Sequence, residues 1–380
     1  MSDYLDEITN LRHNLHQHPE VSNNEQNTAT IIKDFITRYR PDEVVEEISG
    51  WGIIFVFNGE REGPTLALRA ELDALPIAET NTGLTYRSIH ENTGHKCGHD
   101  GHMSMVAGLA PWLNEARPDR GRVILLFQPA EETGEGARRM LEDSKLSAYN
   151  PDYIFSLHNL PGYPMGQIVL KPDVFNAASK GLIIRLKGKT AHAAEPENGN
   201  SPDMVMVGIV QMLNGLIDEL DLSDFGLVTV VHAQLGEPAF GVSPDSAVIM
   251  TTIRAYEDGD LKEIEEAIRS FVKLEAETNK LQWSIEEADA FQSSVNDEKC
   301  VSLLKEIAKE LDFDVLEKKA PLRWSEDFGL FTQQFKGAMF GLGSGESTPD
   351  LHNPDYDFPD EILPVGVAMY KGLINRILND

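Results

Sequence analysis

Arg122-Val123-Ile124-Leu125-Leu126-Phe127-Gln128-Pro129-Ala130-Glu131-Glu132 is the stretch that decides the fold. Its apolar run is continuous, as expected of a central strand covered on both faces, the habit of parallel sheets. It ends abruptly at Gln128-Pro129 and two adjacent carboxylates. Outward from it, strand-like segments occupy 51–57, 65–72 and 153–157. Two amphipathic helices are expected over 4–40, separated by His18-Pro19-Glu20, with further helices at 103–116 and 136–143. Strands alternating with helices predict an α/β fold with a mixed, mostly parallel sheet sandwiched by helices. In such sheets sites form beyond the carboxyl ends of the strands. Glu131, Glu132 and His158 fall there.

The pattern then changes. A strand at 181–189, a helix at 201–218, strands at 227–235 and 247–256, a helix at 261–279 and a strand at 282–291 follow in order. That βαββαβ series is the split arrangement of ferredoxin-like domains. We therefore expect a catalytic domain over 1–174 and 293–380 and an inserted lid or dimerisation domain over 175–292. The chain returns with helices at 298–311 and 363–378. The loop between them is rich in Gly, Ser, Pro and Asp and carries His352.

At 380 residues, one large and one smaller domain are the default, and 41% hydrophobic residues suffice for real cores. The net charge of -29 argues against nucleic acid, whose binding needs a basic footprint, and against anionic membrane surfaces. It identifies no substrate. Cys97 and Cys300, the only two cysteines, lie far apart, which excludes a disulfide framework as the main stabiliser; a single bridge would remove Cys97 from metal chemistry. Cys300 sits in a helix-like stretch and reads as a small buried apolar residue. The start, Met1-Ser2-Asp3-Tyr4-Leu5-Asp6-Glu7, lacks the basic and apolar regions of a signal peptide. No apolar run approaches the ~20 residues of a membrane span. Cytoplasmic residence is the default expectation.

Thr93-Gly94-His95-Lys96-Cys97-Gly98-His99-Asp100-Gly101-His102 concentrates a cysteine, three histidines and an aspartate in one segment. Thiolate, imidazole and carboxylate hold divalent transition metals, and flanking glycines let the backbone turn tightly. Cys97 and His99, spaced i, i+2, can face one metal cluster from a loop. His95 and His102 read as supporting or structural. One carboxylate of Glu131-Glu132 can bind metal while the other takes a proton from the attacking water and passes it to a leaving nitrogen. His158 suits a strand-end ligand. His192, among small residues in Gly188-Lys189-Thr190-Ala191-His192-Ala193-Ala194, should be presented rather than packed and could donate to an oxyanion. Arg254 could pair bidentately with a substrate carboxylate or form a structural salt bridge. His232 reads as structural, and His13, His16 and His18 as scaffolding. The set describes a metal-dependent hydrolase.

With these residues assembled, the chain resembles the M20 family of metallohydrolases. The resemblance is to the amidohydrolase subgroup of hippurate hydrolases, auxin-conjugate hydrolases and N-acetyldiaminopimelate deacetylases. It runs through Arg12-His13-Asn14-Leu15-His16-Gln17-His18-Pro19-Glu20, Leu68-Arg69-Ala70-Glu71-Leu72-Asp73-Ala74-Leu75-Pro76, Cys97-Gly98-His99-Asp100-Gly101-His102 and Gln128-Pro129-Ala130-Glu131-Glu132. It continues through His158, residues 188–196, Ser325-Glu326-Asp327-Phe328 and His352-Asn353-Pro354. The resemblance implies a zinc-aminopeptidase-like fold and two divalent metal ions per subunit, held by Cys97, His99, Glu132, His158 and His352. Zn²⁺ or Mn²⁺ is expected, with Co²⁺ or Ni²⁺ tolerated. Glu131 would be the general base and acid, and His192 would contact substrate or oxyanion. It also implies a small-molecule N-acyl amino acid substrate, cleaved at the amide, and a homodimer or homotetramer through the inserted domain. The alternative is a dipeptidase or carboxypeptidase using the same site. Two departures stand out: Glu71, where the subgroup commonly has Asp, and Lys96, where a small residue is usual.

Overall fold

The computed structural model describes residues 2–379; Met1 of the acidic start and Asp380 lie outside them. The chain divides into two compact units. One comprises Met1–Phe175, Ser294–Ala320 and Asp327–Asp380, the other Asn176–Ser293 and Pro321–Glu326.

The first unit opens with α1 (Ser2–Gln17) and α2 (Gln26–Ile36). Ile8, Leu11 and Leu15 on α1, and Ile32, Phe35 and Ile36 on α2, recur at helical spacing and are buried in one core. The strands β1 (Glu43–Ile48), β2 (Gly52–Asn58), β3 (Arg61–Glu71), β4 (Arg120–Gln128), β5 (Tyr153–Leu160) and β6 (Ile168–Leu170) join Lys336–Gly343 and Val315–Glu317 in an eight-stranded sheet. The order is β1-β2-β4-β3-β5, then Lys336–Gly343, β6 and Val315–Glu317. The centre is parallel: β3 pairs with both β4 and β5, and β5 pairs with Lys336–Gly343. Val123, Leu125 and Phe127 enter the main core, while Ile124 and Leu126 are equally buried on the opposite side. Both faces of β4 are thus covered, which is why its sequence shows no alternation.

Several expectations shift at element ends. The helix expected at 103–116 is two, α3 (His99–Ala107) and Leu109–Glu115. At Gly108, between them, a Cβ would meet Ile8 Cδ1 at 2.6 Å, so α1 packs against bare backbone. α3 begins at His99, so this residue opens a helix and is not part of a loop, while Cys97 precedes it. β5 runs two residues past His158. β1, β6, Val315–Glu317 and Lys336–Gly343 have no counterpart in the sequence reading.

The second unit is a four-stranded antiparallel sheet in the order Gly226–Leu235, Ser246–Ala255, Ala178–Lys187, Gln282–Phe291. With the helices Asp203–Gly215 and Asp258–Thr278 it makes the βαββαβ series of a ferredoxin-like fold. Ala247, Ile249, Ile253 and Ala255 pack into a core with Ile209, Ile264 and Ile268 of the helices. The alternate residues Val248, Met250, Thr252 and Arg254 are only half-buried, so this sheet keeps one open face. Among the described residues no helix is long and apolar enough to cross a membrane.

Candidate metal centre

The carboxyl ends of the central strands gather six of the predicted residues. β4 delivers the Glu131-Glu132 turn through Ala130, whose backbone is left-handed (φ 52°) although it is not glycine. The turn is held from two remote segments. Glu25 Oε1 accepts from Ala130 N at 2.8 Å, and Asp73 Oδ2 accepts from Glu132 N at 3.0 Å. Asp73 follows β3, so neighbouring strand ends hold each other's loops.

Cys97 and His99 come from the entry to α3. Gly98 between them has φ 94°, and a Cβ there would lie 2.5 Å from Asn159 Oδ1. Only glycine allows this approach. His99 Nδ1 donates to the Asp73 carbonyl at 2.8 Å, which leaves Nε2 as the lone-pair nitrogen. That Nε2 is buried without a hydrogen-bond partner. It lies 3.9 Å from Glu131 Oε2 and 3.8 Å from Glu132 Oε1. His158 Nδ1 donates to the Asn159 carbonyl at 2.9 Å, and its Nε2 is 3.5 Å from Cys97 Sγ. Burial, with His102 alongside, pushes the His158 imidazole well below its ordinary pKa and keeps it neutral. His352 Nε2 is 3.7 Å from Glu132 Oε2.

Three overlapping groups result: Cys97, His99 and His158; His99, Glu131 and Glu132; Cys97, Glu132 and His352. Within each, the ligand atoms lie within 4.8 Å of one another. A buried imidazole nitrogen with no partner, aimed at carboxylates and a thiolate, fits divalent transition metals. Two overlapping groups sharing Glu132 fit two such ions.

The neighbouring histidines are differently engaged. His102 is hydrogen-bonded at both nitrogens, by Glu71 Oε2 at 2.8 Å and Asn159 Oδ1 at 2.6 Å. Burial would raise the Glu71 carboxyl, but Arg69 and then His102 outweigh it and hold it well below the usual range. Burial drives the His95 imidazole down to about 3. His16 joins Asp100 at 2.8 Å and Glu79 at 3.0 Å, and these two overcome burial to raise it to about 9. Neither cysteine is in a disulfide, and Cys300 is buried in helix Glu298–Glu310, its thiol pushed up to about 12 by burial.

Asp73 and Glu25 were given no role from sequence. Asp73 had a legible signal, a carboxylate just past a strand end; Glu25 had none.

In the second unit, His192 lies exposed on the short strand Ala191–His192, paired with Val242–Ser243; its Nδ1 accepts from Ala194 N at 3.1 Å. Arg254 Nη1 donates to the Arg323 carbonyl at 3.1 Å and to Ser325 Oγ at 3.0 Å. Among the described residues no carboxylate forms an ion pair with Arg254, and burial lowers its pKa.

Residues 67–376 match the family described as Peptidase family M20/M25/M40. The chain is 31% identical to the hippurate hydrolase of Campylobacter jejuni, over 99% of this chain and 98% of that one. It is 32% identical to the N-acetyldiaminopimelate deacetylase of Listeria innocua, over 96% and 97% respectively. A Bacillus subtilis structure described as a dinuclear metal binding peptidase from the M20 family superposes with a TM-score of 0.83 at 27% identity, covering 100% of this chain and 99% of that one. Motif order, fold and length all agree, and the chain belongs to peptidase family M20/M25/M40.

Proposed function

We propose that this chain is a metal-dependent amidohydrolase that cleaves N-acyl amino acids into a carboxylate and a free amino acid. One observation carries the reading. Glu131, 4% exposed, sits 3.9 Å from His99 Nε2, grouped with His99 and Glu132 at the rim of the ligand set. A carboxylate so placed can take a proton from the attacking water and return it to the departing nitrogen. Cys97, His99, Glu132, His158 and His352 would hold two ions, Zn²⁺ or Mn²⁺. Bound there, such ions lower the pKa of water and stabilise charge developing on the carbonyl oxygen. Asp73 orients His99 through its carbonyl and the Glu131-Glu132 turn through its carboxylate.

The second unit supplies the rest of the reading. Arg254 is a half-buried cation with no carboxylate paired to it among the described residues, which suits the carboxylate of an amino acid. His192 is exposed and donor-capable, suited to the oxyanion. The reading also carries a homodimer or homotetramer through this unit, and residence in the cytoplasm. The names of the curated relatives, a hippurate hydrolase and a deacetylase, support an acyl-amino-acid substrate. A dipeptidase or carboxypeptidase remains the competing reading, favoured by the peptidase description of the Bacillus structure.

The test is amine release by metal-loaded protein from N-acetyl, N-benzoyl and longer N-acyl amino acids beside plain dipeptides. Faster cleavage of the acyl amino acids is expected. Preference for dipeptides would move the chain to the peptidase reading.

A further inference from the structure

His352 differs from the other four candidate ligands. Cys97, His99 and His158 are buried, and the Glu132 side chain is 12% exposed, whereas the His352 side chain is 52% exposed. It stands in a loop between Lys336–Gly343 and the helix Leu363–Ile374, in the left-handed region at φ 66°. A non-glycine residue there carries strain that its surroundings must hold.

One residue grips both ends of this segment. The Lys96 carbonyl accepts from His352 N at 2.7 Å, and Lys96 Nζ donates to the Tyr356 carbonyl at 2.9 Å. Nζ also pairs with Glu79 Oε1 at 2.8 Å. Lys96 is fully buried, as is Tyr356. Midway, Thr80 N donates to the Pro354 carbonyl at 3.0 Å. The neighbour of Lys96 is Cys97, so the same residue ties the segment bearing Cys97 and His99 to the segment bearing His352. A small residue at 96 could keep the backbone bond but could not reach Tyr356. A buried ammonium is costly unless fully paired, and here its partners are a carboxylate and the end of the loop it spans.

We propose that Lys96 is a positioning residue that fixes the segment His352-Asn353-Pro354-Asp355-Tyr356 and so sets how tightly one of two metal ions is held. The proposal rests on His352 being a ligand, as read above. Lys96 touches no reacting atom; it acts through His352.

The test titrates metal-free full-length protein with Zn²⁺ against a chelating dye. Wild type, Lys96→Met, His352→Gly and the double variant are compared; glycine tolerates the left-handed backbone at 352. In Lys96→Met one ion should bind as in wild type, and the other should lose about 10–100-fold, the usual effect of removing a residue that orients a ligand. His352→Gly should lose the same ion. Adding Lys96→Met to His352→Gly should change nothing further, because both act through one contact. Amide exchange over residues 352–356 of metal-free protein should quicken in Lys96→Met. Equal weakening of both ions, no weakening, or a Lys96→Met effect that persists in full without His352 would overturn the proposal. His352→Gly binding two ions like wild type would instead remove His352 from the ligand set, and the proposal with it. Should Lys96→Met fail to fold, Lys96→Gln, whose shorter neutral side chain leaves Glu79 paired with His16, is judged by the same criteria.

Discussion

Arg69 and Arg254 each sit on a strand, and their surroundings could hardly differ more. Arg69, on β3, is fully buried and fully matched. Nε meets Gln128 Oε1 at 2.9 Å, Nη2 meets Asp327 Oδ1 at 2.8 Å, and Nη1 meets Glu71. Arg254, on the open face of the second sheet, meets one carbonyl and one hydroxyl and no carboxylate among the described residues. A cation that burial penalises and that only neutral acceptors meet is the kind of group the proposed reading assigns to a substrate carboxylate. The first sheet, closed on both faces, can present chemistry only at its strand ends. The second, closed on one face, can present it from the sheet itself.

The comparison breaks first at Glu131. Glu131→Gln should keep the metals and lower turnover by roughly a thousand-fold, the order expected of a proton-transferring group. Metal content and steady-state rates check both halves. Near-normal turnover would mean that the strand ends of the closed sheet only bind. Next comes the closed sheet itself. Ile124→Thr puts a hydroxyl into a site 1% exposed and should cost about 2–4 kcal/mol by denaturant unfolding. Val248→Thr on the open face should cost less than about 1 kcal/mol. Similar costs would mean that the open face is covered.

Charge under the site gives the third. Burial, with Asp73 beside it, raises the Glu25 carboxyl from 4.5 to about 7. A folded-state pKa above the unfolded one favours the native state below pH 4.5, and that advantage drains as pH rises towards 7. In metal-free protein, Glu25→Gln keeps the acceptor for Ala130 N and should remove this decline, gaining about 3 kcal/mol at pH 8. An unchanged pH dependence would show that Glu25 is not strained. The smallest effect sharpens the opening contrast. Arg254→Met should raise KM about tenfold for substrates with a free carboxylate and leave amide-capped analogues unaffected, as expected for one charged hydrogen-bonded contact. Equal effects on both would make Arg254 structural, like Arg69.

Legibility in the sequence followed the same divide. The β4 run, and the second sheet's strand Gln282–Phe291, were readable because burial on two faces or one writes itself into period. The strand Lys336–Gly343 was not, although it pairs with β5 in the middle of the sheet. Its three glycines lower strand propensity, yet packing demands two of them outright. A Cβ at Gly337 would lie 2.1 Å from the Ile154 carbonyl oxygen, and one at Gly343 would lie 2.0 Å from the Pro164 carbonyl oxygen. β1, with three glutamates in six residues, hid as a charged edge. At the site, side-chain donors were readable because their chemistry is rare. Asp73 and Glu25 were harder because they hold backbone amides, and a backbone amide has no letter in the sequence.

The broken path of the first unit matters to a chain still being made. β5 leaves the ribosome long before its parallel neighbour Lys336–Gly343, with the whole ferredoxin-like unit in between. At about 5–20 residues per second, that delay is roughly ten to forty seconds. Throughout it, one edge of β5 has no partner, and Cys97, His99, Glu132 and His158 already exist while His352 does not. On the proposed ligand set, an ion captured in that interval would meet four of the five ligands, so the metal supply during synthesis, and not only in the finished protein, would bear on which ion the enzyme ends up carrying.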